Sequence, residues 1–298
     1  MNKLFLCVGA AKTGTTWLYK NLDRNPALFF APEKEINYFF SRHGWFDRLT
    51  DKHRQEKCER FEANGNPAGP LFPFKRDWYR DYASGPIGPD WYRKLFEATP
   101  SGAWACDFSP STSLISGEGW REVADFAPEV RIVYIMREPL DRLWSHAKFH
   151  AQFVGRLDEF ASMSVDEMNE FIDKASLAVD GDYGSHLARI YEVLPRKRVL
   201  VIDYAEIGER PYRVLRRVER FLGAPKSDWA PAQKERVNVS AEIPRPEGFG
   251  DAYQERFRGE IEKLIALDVD FARDWLPEDD PRRNTWGDRL KRLVGLRR

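Results

Sequence analysis

Cysteine is scarce. The three present, Cys7, Cys58 and Cys106, are an odd number with no metal-like spacing, which excludes a disulfide framework or a zinc site and fits a reducing compartment. Long apolar runs are also missing. No window approaches the roughly 20 apolar residues of a membrane span, and the N-terminal apolar run of about six residues is shorter than a signal-peptide core. A soluble, cytoplasmic protein is the expectation. Neither sign of charge is in excess, with 47 basic and 47 acidic residues. No chain-wide field draws nucleic acid, no nucleic-acid partner is expected, and any anion site must be local. Internal repeats and low-complexity runs are absent. Aromatic residues are plentiful, with ten Trp and twenty Phe, which serves core packing or ring-lined pockets.

Short apolar runs alternate with helical patterns. Residues 3–8, 103–107, 131–136 and 199–202 read as buried strands. Helices are expected over 14–24, 119–126, 139–150, 165–176, 183–194 and 211–222, with a last long helix over 251–275. Pro139 opens one of these, as proline at a first helical position does, and Gly223 stops another. Residues 41–90 mix aromatics with glycine, proline and charge, and read as an irregular, lid-like insertion (41–100 at its widest) with local helices near 45–60 and 90–98. The expected fold is α/β: a P-loop-like three-layer sandwich, its central parallel sheet flanked by helices. Residues 1–281 read as a single domain, and 282–298 as a basic tail.

The densest signal is Val8-Gly9-Ala10-Ala11-Lys12-Thr13-Gly14-Thr15-Thr16-Trp17. Strand, glycine loop and helix N-terminus follow one another there. That geometry cradles phosphate, because backbone N–H groups and the helix dipole both favour an anion. Gly9 and Gly14 have the spacing of the two P-loop glycines, but Thr15 stands where the Walker lysine belongs and the lysine is inside the loop at Lys12. A second strand ends at Arg137, with Ser145 and His146 on the following helix. Arginine brings charge and a planar fork of donors and serine a neutral donor, which makes a second phosphate grip; the competing reading pairs Arg137 with a core carboxylate. Two grips suggest a nucleotide with phosphates at both its 5′ and 3′ ends, and so 3′-phosphoadenosine 5′-phosphosulfate.

The sequence resembles the sulfotransferase family that uses this donor. VGAAKTGTTWLYKNL is similar to the family's 5′-phosphosulfate loop, and RIVYIMREPLDRLWSHAKFH to its 3′-phosphate segment, with Arg137 and Ser145 at the two contact positions. PEKEINYFF resembles the K-E-x-x-x-F element of the carbohydrate-modifying, heparan-type branch. Asp107-Phe108-Ser109-Pro110-Ser111 is similar to that branch's E-K-[ST]-P-x-Y segment. GDYGSHLARIYEVLPRKRVLVIDYAEI and RRVERFLG resemble later segments, so the likeness runs from about residue 4 to 223. There are departures: Phe108 replaces the lysine, Asp107 the glutamate, and the tyrosine becomes Thr112 or is lost. Of the K-G-R loop over the 3′-phosphate, the nearest counterpart is KERVNVS, with Arg236.

The resemblance implies transfer of a sulfuryl group to a hydroxyl or amine by in-line displacement, where positioning and charge stabilisation dominate. Ala11, Lys12, Thr13, Gly14, Thr15 and Thr16 would hold the 5′ end, with Lys12 neutralising the leaving oxygen. Arg137, Ser145 and Arg236 would hold the 3′-phosphate, and Tyr183 would line a pocket. Glu35 is the expected base and Lys34 its partner; the competing reading is a solvated charged pair. His43 and His146 are rival bases. No metal is required in this scheme. A P-loop kinase or NTPase is the alternative, with Val199–Asp203 as a Walker B strand, and a non-catalytic nucleotide-binding module is another. The acceptor is expected to be a glycan, lipid or small molecule. Residues 282–298 carry seven basic residues against Asp288 alone, a net +6. A basic amphipathic helix there is a candidate for peripheral contact with an anionic membrane, against a duller reading in which it packs on the domain.

Overall fold

A computed structural model describes residues 1–227, 242–285 and 288. Its elements, in order, are β1 (Lys3–Cys7), α1 (Thr15–Leu22), β2 (Leu28–Phe30), α2 (Tyr38–His43), α3 (Asp51–Asn64), α4 (Phe72–Ala83) and α5 (Pro89–Lys94). There follow β3 (Trp104–Asp107), α6 (Gly117–Asp125), β4 (Glu129–Met136), α7 (Pro139–Phe153), α8 (Leu157–Ser162), α9 (Val165–Lys174) and α10 (Tyr183–Val193). β5 (Val199–Asp203), α11 (Tyr204–Glu209), α12 (Pro211–Leu222) and α13 (Gln254–Ala266) complete the described set. The chain divides into two compact units: residues 1–135 with 189–237, and 136–188 with 238–298.

The first unit is built on a five-stranded parallel sheet of order β2-β3-β1-β4-β5. β1 pairs with β3 (Leu4 beside Ala105, Leu6 beside Asp107) and with β4 (Leu4 beside Val130, Cys7 beside Val133). Buried on both faces, the central strands read as continuous apolar runs. Phe5 and Cys7 join Trp17, Leu18 and Leu22 of α1 and Val214, Leu215 and Val218 of α12 in one core. On α12 those positions recur at three- and four-residue intervals, a stripe facing the sheet. The helix stops at Gly223, whose φ of 64° favours glycine. A second, aromatic cluster joins α2, α5 and the residue after α6: Tyr38 stacks on Tyr92 at 4.4 Å, and both rings meet Phe126 edge-on.

Residues 41–90 are more regular than their composition suggests. α4 occupies a stretch the sequence reading left irregular, and α3 begins at Asp51 rather than near 45, where Thr50 Oγ1 accepts from the His53 amide at the helix start. The pattern hides α3 because only Arg54 and Cys58 are buried along its fourteen residues. Arg54 donates to the carbonyls of Tyr82 (2.9 Å) and Gly85 (3.0 Å), tying α3 to the end of α4. A cavity of about 610 Å³ beside Arg54, Asp47, Thr50 and Gln55 is lined by none of the expected site residues.

In the second unit, Leu143, Trp144, Ala147 and Ala151 of α7 pack with Phe160, Phe171, Phe249 and Phe257. The expected helix over 251–275 is broken into a 3-10 turn at Asp251–Tyr253, α13, and a second turn at Asp270–Trp275. The break falls at Asp268, which adopts a left-handed φ of 65° that no helix continues through.

Candidate functional site

In the first unit, the loop after β1 continues the sheet before it turns. The amides of Val8 and Ala10 donate to the carbonyls of Val133 and Ile135 at 3.0 and 2.8 Å, and the Ile135 amide donates to Gly9 O at 2.9 Å. Thr13 Oγ1 reaches back to Ala10 O at 2.7 Å. Two glycines are required here. At Gly9, φ is 136° and a Cβ would stand 3.1 Å from Pro110 O and 3.2 Å from Ser113 Oγ; at Gly14, φ is 84° and a Cβ would stand 3.1 Å from Ile207 Cδ1. Lys12 also has a left-handed φ, 67°, a conformation that costs a non-glycine residue about 1 kcal/mol or more. Gly14 caps α1 without a side chain, so the first-turn N–H groups of Thr15 and Thr16 are left to satisfy an incoming anion.

Lys34 and Glu35 lie between β2 and α2. The Lys34 ammonium donates to Glu35 Oε1 at 2.5 Å; Lys34 is 17% exposed and Glu35 43%. Glu35 and Asn37 are both left-handed, with φ of 66° and 60°. The Asn37 side chain donates to Glu35 O (2.8 Å), and the Asn37 amide donates to Ser109 Oγ (2.8 Å). Ser109 in turn donates to Asp107 Oδ1 at 2.6 Å, while Tyr92 donates to Oδ2 at 2.8 Å. Asp107 is 2% exposed. Burial pushes its carboxyl from 3.8 up to about 6, against the hydrogen bonds of Ser109 and Tyr92 and the nearby Lys34 charge. Burial likewise raises the Cys7 thiol to about 12, with Lys34 opposing.

Asp107 lies outside the site residues expected from sequence, although a carboxylate closing a buried strand is a visible signal. His43, a rival base, is held by Glu122, which also accepts from Tyr38 and Arg42. The Walker-B-like Asp203 caps α11, accepting from the Ala205 amide at 3.0 Å. Among the described residues no cluster of three or more His, Cys, Asp or Glu is arranged to hold a metal.

In the second unit, α7 starts at Pro139 beneath a Glu138 cap, whose carboxylate accepts from the amides of Leu140 (3.0 Å) and Asp141 (2.6 Å); such a cap contributes about 1 kcal/mol. The Arg137 amide, just before the cap, donates to the Tyr183 hydroxyl at 3.4 Å. Burial raises Tyr183, which is wholly enclosed. Ser145 is buried on α7, and Lys148 follows it by three residues on the same face. Burial lowers Lys148, and the neighbouring Arg137 charge adds to it. This second cation is legible only from the i, i+3 spacing to Ser145. His146 Nδ1 accepts from buried Arg142 at 3.0 Å. Arg236 lies outside the described residues, as does most of 282–298. Of that tail, Arg282 pairs with Asp280 and Glu262, and Arg283 donates to Leu276 O.

The profile of the sulfotransferase family matches residues 5–228. The chain belongs to the sulfotransferase family. It is 26% identical over 229 residues to human bifunctional heparan sulfate N-deacetylase/N-sulfotransferase 3 and 24% identical over 232 residues to the human form 2. Each match covers 74% of this chain and 22% of the relative, so the chain spans about a fifth of those proteins. The structure of a sulfotransferase from Alicyclobacillus acidocaldarius superposes with a TM-score of 0.61 at 21% identity, covering 90% of this chain and 96% of the other. The sulfotransferase domain of the curacin biosynthetic pathway gives 0.56 at 15% identity, covering 90% and 98%. These sulfotransferases share the fold, a parallel sheet flanked by helices.

Proposed function

We propose that this sulfotransferase-family chain transfers the sulfuryl group of 3′-phosphoadenosine 5′-phosphosulfate to a hydroxyl or amine, with a carbohydrate acceptor favoured over a lipid or small molecule. The observation that carries the proposal is the juxtaposition at the carboxyl ends of adjacent strands β1 and β3. A loop shaped for an anion, bearing Lys12, follows one strand, and the Lys34–Glu35 pair is hydrogen-bonded through Asn37 and Ser109 to the end of the other. Ligands in open α/β sheets bind outside such strand ends. The heparan sulfate relatives support a sugar acceptor through their names.

In this reading the amides from Thr13 to Thr16 hold the 5′-phosphate, and Lys12 neutralises the oxygen that leaves as sulfur is displaced in line. Glu35 removes the acceptor proton, and Lys34 keeps the carboxylate oriented until the acceptor arrives. Arg137 and Ser145 take the 3′-phosphate, with Lys148 adding positive charge beside Arg137 and Tyr183 fixing the Arg137 backbone. No step requires a metal. The tail from Arg282 is a proposed contact for anionic membrane; co-sedimentation with liposomes should weaken when the chain is cut before Arg282, and unchanged binding rejects that contact.

Calorimetric titration without magnesium, repeated with it, tests the donor. 3′-Phosphoadenosine 5′-phosphate should bind and ATP should not. Binding of ATP alone, appearing only with magnesium, would replace this reading with a P-loop kinase or NTPase.

A further inference from the structure

We infer that Asp107 is a positioning residue for the proposed transfer: through Ser109 and Asn37 it fixes the backbone that presents Lys34 and Glu35. The inference rests on Glu35 being the base. It begins from a local conflict. Glu35 holds left-handed backbone without being glycine or asparagine, a conformation that persists only where its surroundings impose it; Asn37, a residue type that tolerates this region, repeats it two positions on. Asn37 Oδ1 is in addition buried without a partner. What imposes the conformation is a hydrogen-bonded chain with one polarity. The Asn37 amide donates to Ser109 Oγ, so Ser109 must present a lone pair there and send its single proton elsewhere. That proton goes to Asp107 Oδ1. The other carboxylate oxygen is taken by Tyr92, itself fully buried and stacked on Tyr38. A carboxylate is the group that accepts at both oxygens; an amide offers one acceptor and leaves one of the two hydroxyls without its partner.

The geometry also explains why the carboxylate is tolerated at 2% exposure with no cation in direct contact among the described residues. Two hydroxyl donors and the field of Lys34 hold it, and in return its ladder position beside Leu6 anchors the Glu35 backbone to the same sheet edge from which the Lys12 loop springs. The separation of base and leaving-group lysine is then set by sheet register instead of by a free loop. Displacements of about 1 Å at such sites cost turnover on the order of a hundredfold.

Two variants of the full chain test this, Asp107→Asn and Ser109→Ala. Hydrogen exchange of the Asn37 amide is read first, since it is independent of catalysis. Exchange should quicken by about tenfold in Ser109→Ala, which removes the acceptor outright. Turnover should fall by about tenfold or more in both variants, with KM for donor and acceptor within about twofold of the unaltered chain. The double variant should be no worse than the poorer single, as expected for residues acting through one path. Unchanged turnover in Ser109→Ala, or losses confined to KM, or fully additive losses, would overturn the inference while leaving the activity standing. An unaltered chain that transfers nothing overturns the activity reading and this inference with it.

Discussion

Replacing Asp107 by asparagine should stabilise the chain at neutral pH relative to acid, because the carboxylate is retained against its own interest. Burial lifts it from 3.8 to about 6, and that difference corresponds to about 3 kcal/mol. The sign follows from where the proton binds more tightly. The folded chain holds it more strongly than the unfolded one, so protonated Asp107 contributes stability that is complete below about pH 4 and lost as pH rises through 6. Asparagine has no charge to desolvate and shows no such loss. The groups that face Asp107 are Ser109, Tyr92, Lys34 and Glu35, with Cys7, Cys106 and Tyr82 responding to its charge; they are common to both chains. Urea unfolding of both chains at pH 4.5 and pH 7.5 isolates the difference. Between those pH values the variant should gain about 2 kcal/mol on the unaltered chain, because the unfolded carboxyl is already largely ionised at pH 4.5; the hydroxyl that loses its acceptor costs the variant about 1 kcal/mol at both pH values and cancels in the comparison. Parallel stability curves would refute the reasoning and show Asp107 to titrate as an ordinary carboxylate.

Lys12→Ala should lower turnover by at least about a hundredfold with thermal unfolding unchanged, as for loss of a group that meets developing charge. Glu35→Gln should do the same through loss of the base; near-normal turnover in the variant would remove Glu35 from that role. Arg137→Ala should raise the Kd for 3′-phosphoadenosine 5′-phosphate, measured calorimetrically, by about tenfold or more; a change in melting temperature alone would mark it as a core ion-pair residue. Gly14→Ala places a Cβ against Ile207 and Tyr204 at a φ of 84° and should cost about 1–3 kcal/mol in denaturant unfolding as well as donor affinity.

The sheet was legible where strands are buried on both faces. β1, β4 and β5 each contain an unbroken apolar run (Leu4–Cys7, Ile132–Met136 and Val199–Ile202), and the glycine pair around Lys12 marks the loop. β2 has three residues, one position beyond Asn25-Pro26, and offers no periodicity to read. α3 escaped accurate placement because a charged helix with two inward residues has almost no stripe, and the 251–275 pattern concealed a single left-handed Asp268. Among the candidate site residues, Lys12, Arg137 and Ser145 could be named from local pattern, and Lys34 and Glu35 from the resemblance to the family. The Asp107 network could not, because Tyr92, Ser109 and Asn37 come from three separate segments and meet only after β3 is seated beside β1.

The bonding of the Lys12 loop into the β4 ladder has a kinetic corollary. Gly9 and Ala10 exchange backbone hydrogen bonds with Ile135, as residues inside a sheet do. A loop locked in this way has little chain entropy left to lose when an anion arrives. Association then need not wait for a rare open or ordered form, and its rate should follow ionic strength more than temperature-dependent rearrangement. Sequence changes in the loop should accordingly be felt in how long the nucleotide stays, not in how fast it comes.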